Sequence, residues 1–166
     1  RLIARRLGDQ HFITCASATY LEANGRPLLP AEIQNHRCLR YRYPNTGLFA
    51  PWVYGPPHDH VRLPETMIFN NSDAALRAAA DGLGLVHLPV YVARDAIASG
   101  QLFPLFEKYC MPIGSLWIIW PAARTLSPKV RAFADFILER FAAMPEAFMP
   151  FRDGYGKIGF AETPSG

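Results

Sequence analysis

Hydrophobic and polar positions along this chain alternate between two periods. Residues 11–16, His-Phe-Ile-Thr-Cys-Ala, form a short β-prone run. Ser17 then stands as an N-cap before Ala-Thr-Tyr-Leu-Glu-Ala-Asn, and Gly25 supplies the stop. Residues 30–35 predict one further helical turn. Residues 38–43, Cys-Leu-Arg-Tyr-Arg-Tyr, alternate as a half-buried strand does. Residues 44–47 then predict a turn and 52–54 a partner strand. Residues 61–64 and 66–69 predict a short strand pair, or one strand kinked at Pro64.

The pattern is clearest after that. Residues 66–69 predict a strand, 70–72 a turn with an N-cap, and 73–81 an Ala-rich helix that Gly82 and Gly84 end. Residues 85–88 predict a buried strand closed by Pro89, 91–99 a helix stopped by Gly100, and 101–106 a third strand. Short connections in this β-α-β-α-β order predict a mostly parallel sheet. Residues 116–120, Leu-Trp-Ile-Ile-Trp, are the most apolar strand. Ser127-Pro128 then caps a long helix to residue 142. Val130, Phe133, Ala134, Ile137, Leu138 and Phe141 make its apolar stripe. Residues 143–166 lack periodicity and predict a flexible tail.

Composition narrows the class. Of 166 residues, 50% are hydrophobic and 19% charged, enough to fill a core and too apolar for disorder throughout. No run of about 18 uncharged apolar residues offers a membrane span. The opening residues lack a Met and a signal-peptide core, so the chain is expected to be cut from a longer protein. A net charge of +3, spread along the chain, leaves no nucleic-acid footprint. Cys15, Cys38 and Cys110 have neither disulfide nor zinc spacing, and a reducing cytoplasm is the simplest compartment.

Candidate chemistry is sparse. His58-Asp59-His60 could chelate, but nothing completes a metal set, and a solvated loop is the ordinary role of such a cluster. Cys15 and His87 both end strands, and a Cys–His pair would supply nucleophile and base. A buried cysteine acting as a small hydrophobe is the commoner case. No phosphate-loop, dinucleotide or nucleophile-elbow motif is present, so no catalysis, cofactor or metal is expected. The helix starts at Ser17 and at Asn71-Ser72 are more informative. Each follows a strand's C-terminal end, where open parallel sheets bind ligands and free N–H groups favour polar or anionic groups. The same residues equally serve as plain helix caps.

The order of segments is familiar. Leu2-Ile3-Ala4-Arg5-Arg6-Leu7-Gly8, Cys15-Ala16-Ser17 with Tyr20-Leu21 and Gly25-Arg26-Pro27, His36-Arg37-Cys38-Leu39, Pro51-Trp52, Asn70-Asn71-Ser72, Gly82-Leu83-Gly84-Leu85 with Leu88-Pro89, and Leu126-Ser127-Pro128-Lys129-Val130-Arg131-Ala132-Phe133 follow one another at family spacing. Over residues 1 to about 142 they resemble the effector-binding (substrate-binding) domain of LysR-type transcriptional regulators. The resemblance implies an α/β fold like the type II periplasmic binding proteins, with the second lobe complete and the first lobe only partly present. Residues 1–10 would end the first lobe as a crossing strand and 11–110 would form the second lobe. Residues 111–142 would hold the return crossing strand and a first-lobe helix.

The resemblance also carries sites over: Thr14, Cys15, Ala16 and Ser17; Phe69, Asn70, Asn71 and Ser72; His87, Leu88 and Pro89. Of these, Thr14, Ser17, Phe69, Asn70, Asn71, Ser72, His87 and Pro89 are the expected effector contacts. The effector would be a small polar or anionic organic molecule. DNA would be reached only through an N-terminal domain outside this chain, and a homo-oligomer with no membrane attachment is implied. The alternatives from other classes are a periplasmic-type solute-binding protein and a small Cys–His hydrolase.

Overall fold

The structure is a computed structural model that describes residues 1–57, 61–122 and 127–144. His58-Asp59-His60 and the tail from residue 145 lie outside the described residues, and so does the expectation attached to each.

Strand β1, Leu2–Ala16, is three times an ordinary strand's length. Its second half pairs antiparallel with β4 (Leu85–Pro89) and β5 (Phe103–Leu105). Its first half pairs antiparallel with β6, Pro112–Pro121, across two register shifts. Strands β2 (Cys38–Tyr41) and β3 (Met67–Phe69) complete the order β3-β2-β4-β1-β5, with β6 on β1's far half. Strand β2 is parallel to both β3 and β4. The expected mostly parallel sheet is therefore interrupted. Strand β1 crosses into it from the other direction and separates β4 from β5.

Alternation along β1 sorts the core into two layers. Ile13 and Cys15, opposite Leu88 and Val86, face helices α2 (Ser72–Ala80) and α3 (Val90–Ala98). Those helices pack Ala75, Ala79, Ala93 and Ala96 inward, and the small side chains let them lie close on the strands. Ala16 faces the other way with Leu85, toward helix α1 (Ala18–Asn24), the 3-10 turn Pro30–Asn35, Trp52 and Tyr54. Gly82 ends α2 at φ +82°, and a Cβ on Gly84 would lie 2.6 Å from the Arg37 carbonyl oxygen. The Gly82-Leu83-Gly84 segment is helix-to-strand punctuation, as its spacing predicts.

Several boundaries move. Residues 1–10 lack the alternation of a strand but extend because β6 pairs with them. Residues 52–54 form no strand: Tyr54 makes one bridge to Cys110, and its ring turns into the core. Residues 61–64 have no regular structure, and the third strand shrinks to Phe103–Leu105. Helix α4, Pro128–Ala143, buries Ala134 and leaves Val130 and Phe133 exposed.

Candidate functional site

A cavity of about 230 Å³ opens where β2 and β4 end and α2 and α3 begin. Tyr41, Tyr43, Tyr91 and Phe12 supply its aromatic walls, and Gln10, Ser72 and His87 its polar side chains. Ala50, Leu88 and Pro89 complete it. Three strands running the same way end here, so the chain leaves each one as a loop or a helix start. Asn71, the N-cap of α2, accepts from the Ala74 N–H at 3.0 Å. Ser72 is therefore the first helical residue, not the cap, and it reaches the cavity.

His87 is the most constrained of these residues. It is 6% exposed, and its ring lies between Phe12 and Trp52, each 5.4 Å away and nearly parallel. Tyr54 meets it edge-on at 5.6 Å. Its Nδ1 is 2.9 Å from Thr14 Oγ1, and the Thr14 hydroxyl also contacts the Tyr54 hydroxyl. Thr14 Oγ1 thus joins the Tyr54 hydroxyl and the His87 ring in one buried hydrogen-bonded chain. The ring's Nε2 is buried without a hydrogen-bond partner. Burial holds the ring neutral, lowering its pKa to about 3.

The expected contacts separate into three groups. Ser72, His87 and Pro89 line the cavity. Thr14 does not line it and is hydrogen-bonded to His87. Phe69 packs on the α2–α3 layer, and Asn70 and Asn71 flank the helix start, Asn71 as its cap. Ser17 is elsewhere. Because β1 is antiparallel to β4, its C-terminal end lies beside the start of β4, at the opposite edge from Pro89. Ser17 accepts from the Tyr20 N–H at 3.3 Å and caps α1. The strand-end argument that joined Ser17 to Asn71-Ser72 assumed parallel strands and is corrected here.

The Cys–His pair is corrected as well. Thr14 is the residue opposite His87, and Cys15, opposite Val86, projects to the other face. Burial raises the Cys15 thiol to about 12, the reverse of an activated nucleophile. Among the described residues no three His, Cys, Asp or Glu side chains are grouped to hold a metal, and no helix is long and apolar enough to cross a membrane.

Sequence reasoning missed Phe12, Tyr41, Tyr43 and Tyr91, whose aromatic character alone gave no site signal.

Comparison with known proteins agrees with this geometry. The LysR substrate binding domain family matches residues 1–142. A probable HTH-type transcriptional regulator, LtrA of Klebsiella pneumoniae, is 27% identical over 137 residues, covering 80% of this chain and 44% of that protein. An HTH-type transcriptional regulator of Xanthomonas campestris is 32% identical over 145 residues, covering 84% of this chain and 42% of the relative. The chain thus spans less than half the length of these relatives. The regulatory domain of CrgA, a LysR-type regulator from Neisseria meningitidis, superposes with a TM-score of 0.70 at 23% identity, over 84% of this chain and 69% of that domain. That likeness fixes the fold, and the matched family fixes the class: the chain belongs to the LysR substrate-binding (effector-binding) domains, with their periplasmic-binding-protein-like α/β architecture.

Proposed function

We propose that this chain is the ligand-sensing part of a LysR-type DNA-binding transcription regulator, that its cavity holds one side of a small polar or anionic organic effector, and that it carries no catalysis. The observation that carries this is His87. His87 lines an aromatic-walled cavity at the strand ends, and its buried Nε2 has no hydrogen-bond partner. A buried polar atom left unmet costs free energy unless a ligand meets it. Residues 11–110 form the second lobe of the effector domain in this reading. Residues 1–10 and 111–142 form the crossing strands and part of the first lobe, which supplies the opposite wall of the cleft.

An effector touching both lobes shifts their relative orientation in proportion to its differential affinity. In a cytoplasmic homo-oligomer that shift reaches the DNA-binding domains, with coupling of about 1–3 kcal/mol. The test blocks the cavity with Ser72→Trp in the full-length regulator. Footprinting on its own promoter should show DNA occupancy retained, while the growth condition that alters wild-type transcription no longer does. A full response from the blocked variant overturns the assignment.

A further inference from the structure

We propose that this chain has a second ligand site, between β1 and α4, which takes a free α-amino acid with an apolar side chain. Arg5 and Arg131 receive its carboxylate, and Asp135 receives its ammonium group. The site shares no lining residue with the cavity at the strand ends, and the inference does not depend on the effector reading.

A cavity of about 260 Å³ lies between the first half of β1, the C-terminal end of β6 and helix α4. Register explains its walls. Ile3 pairs with Trp120 and Arg5 with Ile118, so alternation turns Ile3, Arg5 and Trp120 to one face of this two-stranded ribbon. On α4, Arg131, Asp135 and Leu138 follow at intervals of four and three residues and share the side that faces the ribbon. The buried residue of that helix is Ala134, which also lines the cavity. Its short side chain leaves the gap unfilled.

The charged side chains bordering this gap have no partners. Among the described residues Arg5, Arg131 and Asp135 make no hydrogen bond and no ion pair. Arg131 precedes Asp135 by one turn, the order that gives the weaker helical pair, and the two do not close on each other. Arg5 belongs to the opposite wall. Trp120 lines the cavity too, and its indole N–H, which can only donate, is buried without an acceptor.

The ligand class follows from these groups. Two guanidinium groups favour a carboxylate, which they can grip in pairs of charged hydrogen bonds. A plain anion leaves Asp135 beside a like charge, and a plain cation leaves both arginines so. A zwitterion meets all three. In an α-amino acid both charges sit on one carbon, within the span of side chains one helical turn apart. Ile3, Leu138 and the Trp120 ring are apolar and take the side chain. A cavity of roughly 150 Å³ holds a benzene ring, so about 260 Å³ holds a branched aliphatic amino acid with its head group. Bound there, it fills the gap and ties α4 to the ribbon.

The test is a nuclear magnetic resonance titration of the isotope-labelled full chain with leucine, leucinamide and isocaproate. Leucinamide lacks the carboxylate charge and isocaproate lacks the amino group. Leucine should shift the Trp120 indole N–H signal, assigned by its loss in Trp120→Phe, while the His87 ring and Ser72 amide signals stay in place. Each analogue should bind roughly tenfold more weakly, as the loss of one charged hydrogen-bond partner dictates. Arg131→Gln should weaken leucine and isocaproate alike, whereas Asp135→Asn should weaken leucine and leave isocaproate unchanged. Either analogue binding as well as leucine overturns the proposal, and so does a Trp120 signal silent to all three compounds. Leucine that moves only the His87 and Ser72 signals overturns it as well and assigns the amino acid to the strand-end cavity. Arg131 and Asp135 are exposed, so their replacement spares the core, and the comparison of analogues is made on the wild type.

Discussion

The two halves of β1 meet different surroundings, and the contrast shows where this domain's stability lies. The second half, residues 12–16, is sandwiched between β4 and β5 with a packed layer on each face, and Ile13, Thr14, Cys15 and Ala16 are fully buried. The first half pairs with β6, and α4 covers only part of that arm. Trp117 is 51% and Phe133 59% exposed. Backbone pairing runs along both halves, interrupted by two register shifts in the first, and the larger difference between them is side-chain burial. Rigidity at the site therefore comes from the core half, where Thr14 holds His87.

The largest effect that tests this contrast is a pair of truncations. Leu88→Ala removes a buried side chain from the α2–α3 layer and should cost about 2–5 kcal/mol of unfolding free energy in urea titration. Phe133→Ala on the exposed stripe should cost under about 1 kcal/mol. Equal costs would break the comparison, since they would require the arm to be covered by something as dense as the core.

Acid titration sharpens it next. His87 is held neutral down to about pH 3 by burial, while in the unfolded chain it takes up a proton near its ordinary value of 6.5. Between those values the unfolded state binds the extra proton, so stability falls as pH falls below about 6.5 and is unaffected above it. The slope from this one group is at most about 1.4 kcal/mol per pH unit. His11 and His36, also lowered mainly by burial, tilt the profile the same way. The informative measurement is therefore the difference between wild type and His87→Phe. Parallel acid profiles would show that the His87 ring is not buried.

Much of this division was legible from sequence. Alternation and caps located α1, β2, α2, β4 and α3 to within a residue or two, because each of these segments carries its own period and its own stop. The family resemblance gave the fold. The direction of β1 was not legible, because neither alternation nor propensity encodes which way a strand runs, and that misplaced Ser17. Nor was the aromatic cage of His87: Phe12, Trp52 and Tyr54 come from separate segments and meet only through pairing across the sheet. Residues 52–54 read as a strand because they are aromatic and β-branched. Trp52 and Tyr54 are buried for their rings, and Val53 between them is only half-buried.

Removing the Thr14 link tests whether the core half positions the site. Thr14→Val keeps the shape but takes the partner from both Tyr54 and His87. It should cost about 1–3 kcal/mol, the penalty for buried polar groups left unmet. Calorimetric unfolding measures the cost. Nitrogen chemical shifts of the His87 ring should lose the signature of one fixed tautomer in the same variant. A fixed signature that persists would show that the aromatic stack alone sets the tautomer.

The smallest effect concerns Ser17, and it separates capping from binding. Its hydroxyl accepts from the Tyr20 N–H at the start of a seven-residue helix. Ser17→Ala should therefore cost about 1 kcal/mol of stability, the usual value of an N-cap. Because antiparallel pairing puts Ser17 at the opposite sheet edge from Ser72, the same change should leave binding of a cavity ligand unaltered. Ser72→Ala is the counterpart. It leaves the Asn71 cap in place, so stability should hardly move, while affinity for a ligand in the cavity should fall by a few-fold. Thermal unfolding and ligand titration on the two variants give a crossed pattern if the edges are separate. A Ser17→Ala change that weakened binding as much as Ser72→Ala would place both serines on one site and contradict the register of β1 against β4.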